Sequence, residues 1–488
     1  MVEVNLNKRA DGSVVRLISR SPFRAVKSMT QNRTLMSEDT VTMEVVSRDM
    51  IEFSKGDWID VEGCVYKIRG KVDVTRTDGD YYQYSATFYG ALYDLMKVMY
   101  RNTDSEGRSS SLIFDLTYGI KDFVKVIVNN MERDYPGEWT FDETGCPDTE
   151  PQTVNFNNQN CLAVLQSLCR TFDLDFQITY NDSVRVIRIG AFGSKVAPPN
   201  NESFFRWGEG HGLFTLKEGK VDDKAIVTRM YGEGGSSNIP VDYREYSERL
   251  QMPCPQRKNR NAHTLYDGTE VAAGEMMIGC VDESKRYIED TELSAAIGVE
   301  EDSANDDSIY PKRTGKVTAL VEGDILSFVD DTMDFDLNER DENGGTKYLI
   351  AGTSAKVTFI SGKLAGQEFE LSKYDHGTKT FTIKSYTDSR GLTIPNEDST
   401  AFRITELDEY KLTDINMPQS YIDNAEEDLW FHVYDKFLQA KQARAQYTLT
   451  FSRLYFVRNM PKGVGVCLFT PGDYVPIKDT RFGIEKYI

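Results

Sequence analysis

Along the first hundred residues, apolar and polar positions alternate in short runs broken by polar turns: GSVVRLI, TVTMEVV, DWIDVEGCVYKI, KVDVTRT and YYQYSATFYG. Alternation with period two places every second side chain on the same face, as in a half-buried strand. Thr77-Asp78-Gly79-Asp80 joins two of these runs. Asp-Gly tolerates the positive φ of a tight turn, so this is a hairpin. Residues 1–100 therefore read as an antiparallel barrel or sandwich.

The period then changes. LIFDLTYGIKDFVKVIVNNM predicts a strand or loop running into an amphipathic helix. In TVNFNNQNCLAVLQSLCRTFDLDFQITYNDSVRVIRIG, Leu162, Leu165, Leu168, Cys169 and Phe172 fall at helical spacing, with Asn residues before them to cap. A hairpin follows, with Phe176, Ile178 and Tyr180 before the Asn181-Asp182 turn and Val184 and Val186 after it. This is a mixed α+β region, 101–204. Residues 205–253 read as connecting strands that complete the barrels. One strand, Ile226 to Tyr231, runs into a flexible Gly232–Ser237, and its RMYGEG echoes the earlier TFYGAL. Residues 254–410 look like an inserted β-rich domain, with the acidic linker VEEDSANDDS and the strands KVTFISGKLAGQEFEL and KTFTIKSY. Residues 411–488 hold a closing helix, with Leu429, Val433, Phe437 and Leu438 on one face and Ser420 or Asp423 as cap. The strand QYTLTFSRLYFV and a last hairpin complete the chain.

That last hairpin, GDYVPIKDTRFGIEKYI, repeats the grammar of GDWIDVEGCVYKI at 56–68. In the first copy Trp58 and Asp60 share one face, Ile59 and Val61 the other, and Glu62-Gly63 turns the chain into Val65 and Lys67. In the second, Tyr474, Val475 and Ile477 take the same parts, Lys478-Asp479 opens a longer turn and Ile484 begins the return. The repeat predicts two related modules. The fold class expected is thus α+β and β-rich: two related antiparallel β-barrel modules, a mixed α/β domain and an inserted β-rich domain.

Composition narrows the function. A chain of 488 residues exceeds one core and divides into roughly three or four domains. With 40% hydrophobic residues and a mean hydropathy of -0.48, it reads as folded and soluble. No run reaches the length of a membrane-spanning helix, and the first residues lack the apolar centre of a signal peptide, so the expected compartment is a cytoplasm. The seven cysteines (Cys64, Cys146, Cys161, Cys169, Cys254, Cys280, Cys467) form no C-x-x-C pair and read as reduced, mostly buried thiols. A net charge of -20 opposes any grip on nucleic-acid phosphates, though an acidic wall lets DNA slide past.

Catalytic signals are sparse. His211, His263, His376 and His432 show no metal-ligand spacing, and no nucleophile elbow or phosphate-binding loop occurs; Gly362-Lys363 lacks the flanking residues of the latter. WGEGHG at 207–212 reads as a mobile connection. Asp334, Asp336 and Asn338 have calcium-loop spacing, but Glu339 stands where the turn glycine belongs and Gly345 where the bidentate Glu belongs. Catalytic, cofactor-binding and metal residues are therefore expected to be none, and no cofactor is expected. A glycoside hydrolase would need a carboxylate pair in a cleft, which spacing in sequence does not report.

The order of parts resembles the hub proteins of phage tails: the contractile-phage baseplate hub and the N-terminal hub region of siphophage tail-associated lysins, the prophage tail endopeptidase family. SATFYGALYDLM, TVNFNNQNCLAVLQSLCRTFDLDFQI, DDKAIVTRMYGEG, and YIDNAEEDLWFHVYDKFLQAKQARAQYTLTF with TPGDYVPIKD carry the resemblance. They frame about two thirds of the chain and leave 254–410 largely outside. The resemblance implies a homotrimeric ring whose two related barrels per subunit match a sixfold tail tube to a threefold tip. Its implied partners are distal tail or tail tube proteins and central spike or receptor-binding proteins, with DNA passage without specific binding. Its implied place is the virion tail, assembled in the bacterial cytoplasm. In lysins the cell-wall-cleaving domain lies beyond the hub, so the expectation is not an enzyme. The alternative is a glycan-binding or adhesion protein, which the β content and 26 tyrosines favour. The stop at Ile488 inside a strand leads us to expect a neighbouring segment, a neighbouring subunit or a longer parent chain, the last preferred because an unpaired edge invites association.

Overall fold

The computed structural model describes residues 3–18, 24–61, 63–77, 80–103, 109–181, 184–190, 192–219, 226–260, 263–264, 270–388, 391–398, 402–441, 446–459 and 469–488. The expected turn residues Glu62, Asp78, Gly79 and Asp182, and also Cys467, lie outside the described residues. The chain forms two compact units. Unit 1 comprises 1–150, 154–217 and 447–488, and unit 2 comprises 151–153 and 218–446.

Unit 1 opens with β1 (Glu3–Asn7), β2 (Val14–Ile18), β3 (Arg24–Thr34), β4 (Glu38–Ser47), β5 (Trp58–Val61), β6 (Cys64–Ile68), β7 (Asp73–Thr77) and β8 (Tyr81–Tyr89). They form one antiparallel sheet in the order β2-β1-β5-β6-β8-β4-β3, with β7 also on β8. Every second residue turns inward: Val41, Met43 and Val45 from β4 meet Tyr84, Ala86 and Phe88 from β8 and Ile59, Tyr66 and Ile68 from the first Gly-Asp hairpin. The alternation predicted for residues 1–100 is the alternation that packs this core.

After the short α1 (Leu92–Leu95), α2 (Ile120–Glu132) and α3 (Cys161–Thr171) build a second core with the strands Trp139–Asp142, Asp175–Asn181 and Val184–Gly190. Asn160 is the α3 cap, its Oδ1 accepting from Ala163 N–H at 2.9 Å. Strand Trp139–Asp142 runs parallel to Val184–Gly190, so this layer is mixed rather than purely antiparallel.

The C-terminal part of unit 1 is a five-stranded sheet in the order Tyr447–Phe451, Gly212–Glu218, Phe205–Trp207, Pro476–Asp479, Ile484–Tyr487. Its core is small: Val196, Phe205, Leu213, Tyr455, Phe456, Ile477 and Ile484.

Unit 2 is built around a seven-stranded antiparallel sheet in the order Thr314–Lys316, Glu409–Thr413, Lys356–Phe359, Glu368–Asp375, Thr380–Ile383, Ser327–Val329, Ala319–Leu320. Its two end strands are consecutive in the chain. Val317 N–H reaches Asp408 on one side and Thr318 N–H reaches Val329 on the other, so the sheet closes on itself. Unit 2 also holds α4 (Thr291–Ile297) and α5 (Gln419–Ala440), and unit 1 holds α6 (Arg453–Asn459).

Four local expectations are corrected. The strand expected from Ile226 is Arg229–Tyr231, and it pairs on both sides within unit 2, with Tyr287–Glu289 and Glu301–Ser303, instead of returning to the first barrel. The glycines after it are packed rather than flexible: a Cβ on Gly232 would lie 2.1 Å from Val433 Cγ2, and one on Gly234 or Gly235 would lie 2.5 Å from a backbone carbonyl. Helix α5 starts behind Pro418, with Ser420 and Asp423 inside it rather than capping it, and Leu438 only half-buried. Finally, RLYFV is α6 and not strand, because the neighbours Tyr455 and Phe456 are both buried, which a strand cannot arrange on one face.

Candidate functional site: two Gly-Asp hairpins and an aromatic cleft

Both Gly-Asp hairpins belong to unit 1, and their likeness extends to single hydrogen bonds. In the first, Gly56 turns the chain at φ +93° and Asp57 folds its carboxylate back. Oδ2 accepts from Ser54 N–H at 2.9 Å, while Asp57 N–H donates to Ser54 C=O at 3.0 Å. Oδ1 accepts from Arg9 N–H at 3.1 Å, in the loop after β1. In the second, Gly472 turns at φ +100°. Asp473 Oδ2 accepts from Thr470 N–H at 2.7 Å, Asp473 N–H donates to Thr470 C=O at 3.0 Å, and Oδ1 accepts from Ser194 N–H at 3.0 Å. Each carboxylate thus closes its own turn and latches the hairpin to a loop distant in sequence.

The latches differ in charge. Lys8 Nζ stands 2.5 Å from Asp57 Oδ2, and the carboxylate is buried. Burial alone would raise the Asp57 pKa; the bonds from Lys8, Ser54 and Arg9 outweigh it and hold the group below the usual carboxylate range. The surroundings differ as well. β1 meets the first hairpin antiparallel, at Asn7–Trp58, whereas Lys195–Tyr474 and strand Phe205–Trp207 meet the second in parallel.

The second module carries an opening. Register partners on neighbouring strands share a face, and Phe205–Ile477 is the buried pair. The next pair, Arg206–Lys478, therefore faces the other way. There it joins Trp207, Phe214 and Phe482 in lining a cleft of about 560 Å³. These three rings are 61%, 67% and 51% exposed, far more than a core function would leave. The turn between the last two strands is held by Asp479, whose Oδ1 accepts from the N–H groups of Arg481 and Phe482 at 2.9 and 3.2 Å. Those bonds hold the turn from which both side chains line the cleft. Arg206 pairs with Glu202 at 3.0 Å and Lys478 with Glu485 at 2.7 Å.

Sequence reasoning did not find this cleft. WGEGHG, read as a mobile connection, links Phe205–Trp207 to Gly212–Glu218, with positive φ at Gly208, Gly210 and Gly212. The missed signal was the aromatic residue flanking such a turn, Trp207 before it and Phe214 after.

The other residues weighed from sequence do not converge. His211 Nδ1 lies 3.1 Å from Glu202, His376 Nδ1 3.0 Å from Tyr374 Oη, and His432 3.9 Å from Asp306; His263 sits in a two-residue strand. Asp334 pairs with Arg313 and accepts from Tyr421, while Asp336 accepts from Asn338 N–H and Asn338 donates to Tyr374 C=O. Among the described residues no group of three or more His, Cys, Asp or Glu side chains is arranged to hold a metal ion. Cys64, Cys146, Cys161, Cys169, Cys254 and Cys280 are free thiols. Burial pushes Cys161 and Cys169 up to about 12, which removes them as nucleophiles at neutral pH. Among the described residues no helix is long and apolar enough to cross a membrane.

No protein-family model matches this chain, and no curated protein does. Among solved structures it is similar to prophage tail protein gp18 from Listeria monocytogenes EGD-e, at 10% identity and TM-score 0.37, covering 88% of this chain and 99% of that one. It is similar to the tail protein from Neisseria meningitidis MC58 at 9% identity and TM-score 0.34, covering 87% and 98%. A third is the E. coli c3393 protein, a type VI secretion component with structural similarity to the T4 tail proteins gp27 and gp5, at 10% identity and TM-score 0.28, covering 74% and 99%. The descriptions of these three proteins name phage tail proteins or likeness to them.

Proposed function

We propose that this chain is a structural phage tail-tip or baseplate hub protein, three copies of which form a ring joining the tail tube to the tip. The observation that carries the reading is the repeated latch: Ser54-Lys55-Gly56-Asp57 and Thr470-Pro471-Gly472-Asp473 fold alike, with the same carboxylate bonds, at the two ends of one unit. Two related modules per chain, repeated by a threefold heterologous contact, give six similar modules around an axis. A sixfold tube and a threefold tip meet on such a ring. Its neighbours are distal tail or tail tube proteins on one side and central spike or receptor-binding proteins on the other. With a net charge of -20, its channel lets DNA pass without holding it. No reaction is assigned to these residues, and the place of action is the virion tail after assembly in the bacterial cytoplasm.

Light scattering across a concentration series tests the ring. The expected mass approaches three times 55.5 kDa as concentration rises. A mass of one chain at every concentration overturns self-assembly into a ring.

A further inference from the structure

We infer that the cleft on the C-terminal sheet of unit 1 binds an anionic saccharide. Three large rings left open to water in one concave site are unusual, since exposed apolar side chains normally occur singly and clusters mark binding sites. Their setting decides the class of ligand. The cleft is also lined by hydroxyl and cationic groups: Thr215, Thr480, Arg206, Lys478 and Arg481. A pyranose ring has an apolar C–H face and a rim of hydroxyls, so it stacks on an aromatic ring with one and meets donors and acceptors with the other. Arg206 and Lys478 are paired with Glu202 and Glu485, so it is Arg481 that selects for a negative substituent. Asp479 is the single acidic residue of the lining, and its carboxylate is turned onto the N–H groups of its own turn. Arg481 makes no ion pair among the described residues, and its guanidinium suits bidentate contact with a carboxylate.

Size separates this ligand from a protein partner. Ten residues line the cleft, where a stable protein interface takes roughly 20–30 on each side. A volume of about 560 Å³ falls within the roughly 300–1,000 Å³ of small-molecule sites. The inference does not rest on the ring proposed above.

Isothermal titration of the full chain with tetragalacturonate, and with maltotetraose as the uncharged control, tests it. Tetragalacturonate is expected to bind at least about tenfold more tightly than maltotetraose. Trp207→Ala and Phe214→Ala are each expected to weaken it by about tenfold, and Arg481→Ala to bring the two sugars within about threefold of each other. All three side chains are exposed, so an unchanged thermal midpoint and far-ultraviolet circular dichroism are expected and separate lost binding from lost fold. No binding of tetragalacturonate at 10 mM (about 3 kcal/mol of affinity), equal binding of both sugars, or binding indifferent to Trp207→Ala overturns the inference. So does a change of oligomeric mass in Trp207→Ala, which would make the cleft a contact between chains. A trimer that binds neither sugar leaves the ring intact and removes only this site.

Discussion

At the scale of single residues, Asp57 and Asp473 turn a short sequence likeness into a structural one. Gly-Asp was visible in both hairpins, and so, in hindsight, was a Ser or Thr three residues before each Asp. What sequence could not supply was the third partner, because Arg9 and Ser194 lie 48 and 279 positions from the carboxylates they meet. Removing either carboxylate strands backbone N–H groups that it satisfied. Asp473→Ala is expected to cost about 2 kcal/mol and Asp57→Ala about 3 kcal/mol, the difference being the charge left on Lys8. Denaturant unfolding measures both, and an equal cost would deny Lys8 its part. The sign of the pH dependence follows from the depressed pKa of Asp57. Its contribution is complete above the unfolded carboxylate value of about 3.9 and is lost as pH falls through the folded value. The stability gap between wild type and Asp57→Ala should therefore hold from pH 7 to about 5 and narrow below about 4; a gap that widens in acid contradicts the latch.

At the scale of elements, helix α5 shows what periodicity carries and what it misses. Leu429, Val433 and Phe437 were readable as one face, and they are buried with Ile422, Ala425 and Trp430. Glu426 lies in the same stripe and is also buried, which no hydrophobic pattern signals. Its oxygens accept from Arg244 Nε at 2.8 Å and Nη2 at 2.5 Å and from Tyr243 Oη at 2.6 Å. Arg244 begins a run with Glu245 and Tyr246 at positive φ, three consecutive residues in a conformation that side chains other than glycine resist. Glu426→Ala leaves the Arg244 charge half-buried and unpaired and is expected to cost about 3–5 kcal/mol. The double variant with Arg244→Ala should recover part of that loss. Additivity of the two single costs would show that the pair is not coupled. Gly232 is the companion case, at the end of the strand that packs on α5. Gly232→Ala, with Val433 2.1 Å from the new Cβ, is expected to cost about 1–3 kcal/mol, and Gly232→Ala with Val433→Ala less than the two single costs together.

At the scale of the whole molecule, the β-rich block at 254–410 was legible because its strands alternate, and most of the seven-stranded sheet lies inside it. Its flanks were less legible, because membership in a core depends on contacts between residues far apart in sequence. Val227 and Met230 before the block, and Leu429, Val433 and Phe437 after it, belong to the same buried cluster as Val357 and Leu412, which face each other in register within the sheet. The compact unit accordingly runs from 218 to 446. At those two points the chain lies in neighbouring strands, Gly212–Glu218 and Tyr447–Phe451, and Gly219 N–H donates to Gln446 C=O at 2.6 Å. A short Gly-Ser turn from Lys217 to Tyr447 can therefore stand in for everything between them. That excision is expected to leave unit 1 with a single cooperative thermal transition and no binding of a hydrophobic dye, because none of the residues removed belongs to its three cores. Excision of 254–410 alone is expected to do the opposite, since it removes most of the buried cluster to which Leu429, Val433 and Phe437 belong. Dye binding and calorimetry on the two shortened chains check both outcomes. A cooperative, dye-free protein after loss of 254–410 would show that α5 and Arg229–Tyr231 find their burial without the seven-stranded sheet, and that the block folds as an insertion in its own right.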